Sequence, residues 1–262
     1  MTCSVFVGTS GFSYPEWVEH GIYPPGTKSA DMLQLYSVLF PVIELNYTWY
    51  QMVRKESVER MLSRLEKPLY FTAKLTRSMT HEIDGHWRHQ AALYCEGIKP
   101  LLEADSLLAV LVQFPAAFHR TQANRYYLSH LFDALADLPL AVEFRNSSWA
   151  HEQVYAGLQQ RNITLVTVDT PPLPRLFPCL DVVTNPKLFY IRLHGRNSQG
   201  WYSGTMQQQF NYLYSNEELL HFQNRYLLSL QHRCSQGVIF FNNHVAGQAV
   251  HNAKTLVRML QQ

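Results

Sequence analysis

The sequence predicts an α/β protein, a single (β/α)8 TIM-like barrel over residues 1–262. Three observations carry that prediction. Eight short apolar runs recur along the chain, helical patterns fall between most of them, and a length of 262 residues suits one such barrel. Apolar residues make up 47% of the chain and charged residues 16%, which supplies a large core and excludes disorder or coiled coil as a description of the whole.

The runs are Val5–Val7, Val42–Leu45, Leu69–Ala73, Leu108–Val112, Leu140–Phe144, Ile163–Val168, Leu188–Leu193 and Val238–Phe241. They are rich in Val, Ile, Leu and Phe and nearly continuous, as strands buried on both faces must be. Between them, Ser29 or Asp31 caps a helix reaching Phe40. Helices follow over Lys55–Glu66, Trp87–Glu103, Asn124–Asp137, His151–Arg161 and Glu217–His232, and the last runs over Ala246–Gln262 with Val250, Ala253, Val257 and Leu260 on one face. The connection between strands six and seven departs from the pattern. Prolines 171, 172, 174 and 178 forbid a regular helix there, so an irregular segment is expected. Residues 195–215 read as a long loop over the barrel mouth, a candidate lid.

Twenty-two basic against twenty acidic residues give a net charge of +2, so no broad footprint for duplex DNA or anionic lipid exists. Cys3, Cys95, Cys179 and Cys234 are far apart and form no C-x-x-C pair, which reads as reduced and cytoplasmic. The first residues lack a basic region and a long apolar run, so no leader is expected. The longest apolar stretch, Leu107 to Phe118, is too short to span a bilayer, and no membrane partner is expected.

In barrels of this kind the site lies at the C-terminal ends of the strands. Each predicted strand ends in polar groups: Gly8–Gly11, Glu44 with Asn46, Lys74, Gln113, Glu143 with Arg145, Asp169, Arg192 with His194 and then Arg196, and Asn242 with Asn243. Spacing of two puts Glu44 and Asn46, Glu143 and Arg145, and Arg192 and His194 each on one side of its strand. All five tryptophans (17, 49, 87, 149 and 201), with Tyr14, Tyr23, Tyr50 and Tyr202, follow strands; such rings beside hydrogen-bonding groups suit sugars or nucleobases. The competing reading makes Glu143–Arg145 a structural ion pair and the aromatic residues loop anchors.

The ordered motifs resemble the YecE-like family of domains of unknown function (DUF72). They are Gly8-Thr-Ser-Gly-Phe-Ser-Tyr-x-x-Trp17 with Tyr23-Pro24, Glu44-Leu-Asn-Tyr-Thr-Trp-Tyr50, Lys74, Thr80-His81 and Gln113-Phe-Pro115. Glu143-Phe-Arg-x-x-Ser-Trp149, Tyr190-Ile-Arg-Leu-His-Gly-Arg196 and Phe241-Asn-Asn-x-x-x-Gly247-x-Ala-x-x-Asn-Ala253 complete the set. Trp49 stands where Phe is usual and Val53 where Pro is common. The resemblance implies a TIM-like barrel and brings no reaction with it.

The expected function is an enzyme of hydrolase type, working by acid/base or metal-assisted chemistry on an anionic sugar- or nucleotide-containing substrate. Glu143 is the expected general base or nucleophile, Glu44 its partner, and His194 and Asp169 further acid/base candidates. Lys74, Arg145, Arg192 and Arg196 are expected anion clamps. Asn46, Gln113, Asn242 and Asn243 orient the substrate, and Tyr50, His81 and Trp149 contact it. No cofactor is expected. The alternative is a divalent ion on Glu44, Glu143, Asp169 and His194, which those four cations would crowd. A metal role for His81 with His86 and His89 ranks lower still. The alternative function is a non-catalytic binder of phosphate, nucleotide or single-stranded nucleic acid.

Overall fold

The computed structural model describes residues 3–261. Strands β1 (Ser4–Ser10), β2 (Val42–Leu45), β3 (Tyr70–Lys74), β4 (Leu107–Gln113), β5 (Leu140–Glu143), β6 (Thr164–Asp169), β7 (Phe189–Leu193) and β8 (Gln236–Phe241) form a closed barrel. Every neighbouring pair is parallel, and β8 returns to β1 over six partners from Ser4↔Gln236 to Thr9↔Phe241. Strands β2, β5 and β6 are buried at every residue, which explains their unbroken apolar runs. Strand β1 extends past its apolar run because Gly8, Thr9 and Ser10 pair with β8, β2 or both; neighbours supply the ladder where the residues themselves give no strand signal.

Helices cover the barrel, and the helix Trp87–Glu103 matches its sequence reading residue for residue. Others start where a cap is made. Thr121 accepts a hydrogen bond from the Asn124 amide, so its helix begins at Gln122, and Ser215 with Glu218 forms a capping box for Asn216–Phe222. The stretch read as one helix to His232 contains a π turn at Gln223–Leu227 before it resumes at Leu228–Arg233. The final helix begins at Gln248, because Ala246 and Gly247 are left-handed at φ 52° and 74°. Between β6 and β7 no helix forms, as the prolines require. There Thr184 replaces ladder partners, accepting from the Leu165 amide and donating to the Ile163 carbonyl.

Gly97 marks the tightest helix contact. A β carbon there would lie 2.2 Å from the Val53 carbonyl oxygen, a backbone atom that has nowhere to go. Gly97→Ala is expected to cost about 1–3 kcal/mol through overpacking, read as a lower urea midpoint. An unchanged midpoint would mean that the segment around Val53 yields freely.

Candidate active site

Strand register decides which side chains meet inside the barrel. Ser10 and Thr72 flank Glu44, Gln113 pairs with Glu143, and Phe240 pairs with Arg192. Arg192 bridges two carboxylates from different strands. Its Nε and Nη2 donate to Glu44 at 2.9 and 2.6 Å, and its Nη1 donates to Glu143 at 2.6 Å. Tyr190, two residues earlier on the same inward face, donates to Glu44 at 2.6 Å. Glu44 and Glu143 are 0% exposed and Arg192 2%, so this network is a buried floor. Burial alone would raise the Glu143 pKa; Arg145, Arg192 and His194 outweigh it and hold the carboxyl well below the ordinary range.

One layer up stand Arg145, His194 and Asn242. The Arg145 guanidinium contacts Glu143 Oε1 through Nε, and its Nη2 lies 3.4 Å from His194 Nδ1, where Asn242 Nδ2 also reaches at 3.0 Å. Guanidinium nitrogens only donate, so Nδ1 is the acceptor and the proton sits on Nε2, 3.3 Å from Glu143 Oε1. Burial and Arg145 pull the His194 pKa down to about 3, so the ring is neutral. Glu143 Oε1, Arg145 Nε and His194 Nε2 crowd together without any aligned hydrogen bond, and Asn46 Oδ1 is likewise buried without a partner.

Above this layer opens a cavity of about 640 Å³, within the range of small-molecule sites. Trp49, Tyr50 and Tyr14 wall one part; Trp201, Tyr202, Met206 and Phe210 reach in from the 195–215 segment. The lining contains Lys74, Arg145 and Arg192 and, among the described residues, no Asp or Glu. Lys74 Nζ lies 4.9 Å from the Trp49 ring centre, and the Arg145 guanidinium carbon lies 5.7 Å from that of Trp201. Burial and Arg192 bring the Lys74 pKa down to about 7, against the opposing pull of Glu143 and Glu44. At the rim, Trp49 Nε1 donates to His81 Nδ1 at 3.3 Å, so a neutral His81 carries its proton on Nε2. Desolvation, then Lys74 and Arg145, lower the His81 pKa to about 4.

Of the residues singled out in the sequence, Asn46, Tyr50, Lys74, His81, Gln113, Arg145, Arg192 and Asn242 line the cavity. Glu44, Glu143 and His194 lie beneath it, fully buried and engaged with one another's partners. Four others belong elsewhere. Asp169 and Arg196 form a bidentate pair that, with the Tyr214 hydroxyl 2.7 Å from Asp169, pins both legs of the 195–215 segment; they are a staple, not an acid/base group and an anion clamp. Asn243 donates to the Tyr212 carbonyl and to Asn252, which itself pairs with the backbone of Tyr214; it secures the same segment from the loop after β8, outside the cavity lining. Trp149 is 1% exposed, stacks on Phe144 with centroids 4.5 Å apart and donates to the Phe118 carbonyl; it anchors loops instead of facing the cavity. Trp17 does the same through the His244 carbonyl. The Gly11 amide donates to the Glu44 carbonyl and so is not offered to a ligand.

The divalent-ion alternative loses its donor set. Asp169 is engaged by Arg196, the oxygens of Glu44 and Glu143 face guanidiniums, and no group of three His, Cys, Asp or Glu side chains converges among the described residues. His86 and His89, the other members of the histidine trio, are exposed. Tyr190, Phe210, Met206 and His244 were missed in the sequence. Parity with Arg192 would have found Tyr190; the loop residues carry no local signal.

A family model described as "Protein of unknown function DUF72" matches residues 6–262. The chain belongs to the DUF72 family. It is similar to a DUF72 family protein from Thermotoga maritima, with 36% identity, coverage of 99% of this chain and 100% of that one, and a TM-score of 0.89. A DUF72 family protein from Enterococcus faecalis is 26% identical over 98% of this chain and 96% of its own, with a TM-score of 0.87. The UPF0759 protein YunF of Bacillus subtilis is 29% identical over 98% of this chain and 94% of its own length. The TIM-like barrel implied by the DUF72 motifs is thus found in the fold itself and in solved members of the family. Among the described residues, no helix of this DUF72 chain is long and apolar enough to cross a membrane.

Proposed function

We propose that the cavity binds an anionic small molecule of sugar or nucleotide size and that the chain acts on it by acid/base chemistry. One observation carries this reading: the lining offers the guanidiniums of Arg145 and Arg192 and the Lys74 amine, and no carboxylate among the described residues, beneath a wall of aromatic rings. Arg145 is the principal anion contact. It has five N–H donors and turns one toward Glu143 and one toward His194, which leaves donors for a phosphate or carboxylate. Trp49 and Trp201 offer faces to the attached ring. The groups able to exchange protons with a ligand are among those that reach the cavity, which include Lys74, His81 and His244. Glu143, Glu44 and His194 act from below by fixing the charge and orientation of Arg145 and Arg192.

The test is calorimetry with matched pairs, glucose 6-phosphate against glucose and AMP against adenosine, plus a short oligonucleotide. Phosphorylated members are expected to bind at least tenfold tighter than their parents. Arg145→Met is expected to weaken them about 10–100-fold, the loss of one or two charge-assisted bonds, and to leave the parents unchanged. Equal binding of both members sinks the proposal. Binding of the oligonucleotide alone, with a steep salt dependence, favours the nucleic-acid alternative.

A further inference from the structure

We propose that Lys74 is a covalent amine that condenses with the carbonyl of an anionic aldehyde or ketone, the anion resting on Arg145. This deepens the preceding proposal and rests on its anion site.

The argument begins from charge. The charged and titratable groups acting on Lys74 or acted on by it are Glu44 on β2 and Glu143 on β5 in the floor, Arg192 on β7, and Arg145 after β5 and His81 after β3 at the cavity. With His81 and His194 neutral, two carboxylates already match two guanidiniums. An ammonium at Lys74 would be a third, uncompensated cation. Its surroundings give that charge little compensation: among the described residues no carboxylate lies within 4.0 Å of Nζ and no hydrogen bond engages it, and the Trp49 face 4.9 Å away offers an ammonium only a cation–π contact. Both carboxylates that could have paired with it are taken by Arg192. The side chain is nonetheless accessible, since it lines the cavity and is only half-buried. A desolvated lysine beside fixed cations is the usual way in which an amine becomes nucleophilic near neutral pH. The pKa of about 7 agrees with this geometry.

The step balances without another reagent. The Nζ lone pair attacks the carbonyl carbon, the carbonyl π pair moves to oxygen, and a proton passes from nitrogen to oxygen to give a carbinolamine. Uptake of one proton and loss of water then give the protonated imine, and hydrolysis reverses the sequence. The imine restores a positive charge at Lys74, which the bound anion compensates. The Nε2–H of neutral His81, on the same Trp49 wall, is a donor available to the carbonyl oxygen without carrying charge.

Two measurements test the proposal on the full chain. In the first, glyoxylate, pyruvate, glyceraldehyde 3-phosphate and uncharged glyceraldehyde are each added at pH 7 with cyanoborohydride, which delivers hydride to an iminium and fixes it as a secondary amine. Peptide mass mapping then locates the adduct among the seven lysines. The expected result is modification at Lys74 at least tenfold above any other lysine, stronger for the anionic carbonyls. Lys74→Met should remove it, and Arg145→Met should remove the preference for anions. The second is independent of ligand: trace acetylation with acetic anhydride across pH 5–11 should titrate Lys74 near 7. Lys74 titrating near 10, or adducts spread evenly over the lysines, overturns the proposal. If that happens while matched-pair calorimetry still shows anion binding at Arg145, only the covalent step fails. Failure of both experiments removes the anion site as well.

Discussion

Replacing Arg192 by methionine is expected to cost the fold about 3–5 kcal/mol, the penalty for leaving buried charge uncompensated. Arg192 donates to Glu44 and Glu143 together, and all three side chains are buried. Methionine fills most of the volume and supplies no donor. Glu143 keeps Arg145, whereas Glu44 keeps only the Tyr190 hydroxyl among the described residues. Adding Glu44→Gln to the methionine variant should therefore recover part of the loss, so that the double variant is more stable than the sum of the singles by at least about 1 kcal/mol. Urea denaturation with a complete double-mutant cycle measures this. A single variant within about 1 kcal/mol of the parent would mean that the floor does not depend on this bridge.

The second large effect is a loss of stability on acidification. His194 has a folded pKa of about 3, against about 6.5 for an unfolded chain. Between those values the unfolded chain binds a proton that the fold refuses, so stability rises with pH across the window and falls as pH drops through it. From pH 7.5 to pH 5 this one ring accounts for about 2 kcal/mol, because about 1.5 pH units lie below its unfolded value. Glu143 acts in the same direction at lower pH. Its folded pKa is depressed, so its contribution is complete above the ordinary carboxylate value and is lost as pH falls further. Denaturation midpoints at pH 7.5 and 5.0, for the parent and His194→Gln, separate the terms. The variant should show the shallower dependence by about 2 kcal/mol, and parallel curves would show that His194 takes up its proton without unfolding.

The fold was legible because its signals are local. Eight apolar runs need no partner to be recognised, and the prolines at 171–178 exclude a helix from their own backbone chemistry. The site was half legible. Alternation identified the inward face, yet each step of two residues also climbs about 6.6 Å along a strand. Glu143 and Arg145 therefore share a face and occupy different layers, the first in the sealed floor and the second at the cavity. Lys74 stands high on β3 for the same reason, above Thr72, which bonds Tyr190 in the floor. Tertiary pairing decided the rest. Asp169 and Arg196 belong to the polar crown in sequence, but β6 and β7 are neighbours, so the two charges meet each other and staple the 195–215 segment. Trp149 and Trp201 both follow strands; one closes over Phe118 and Phe144, the other lines the cavity with its edge-on neighbour His194 buried beside it. No spacing rule separates those outcomes.

The central claim is that the mouth of the barrel is an anion site walled by aromatic rings. A crystal structure with the tightest-binding phosphorylated ligand of the calorimetric panel tests it most directly. The account predicts the phosphate within hydrogen-bond reach of Arg145, the attached ring against Trp49 or Trp201, and Glu143 still bonded to Arg192 below. A ligand seated instead in the outer groove of Arg120, Arg125 and Arg161, with the cavity unchanged, would contradict it.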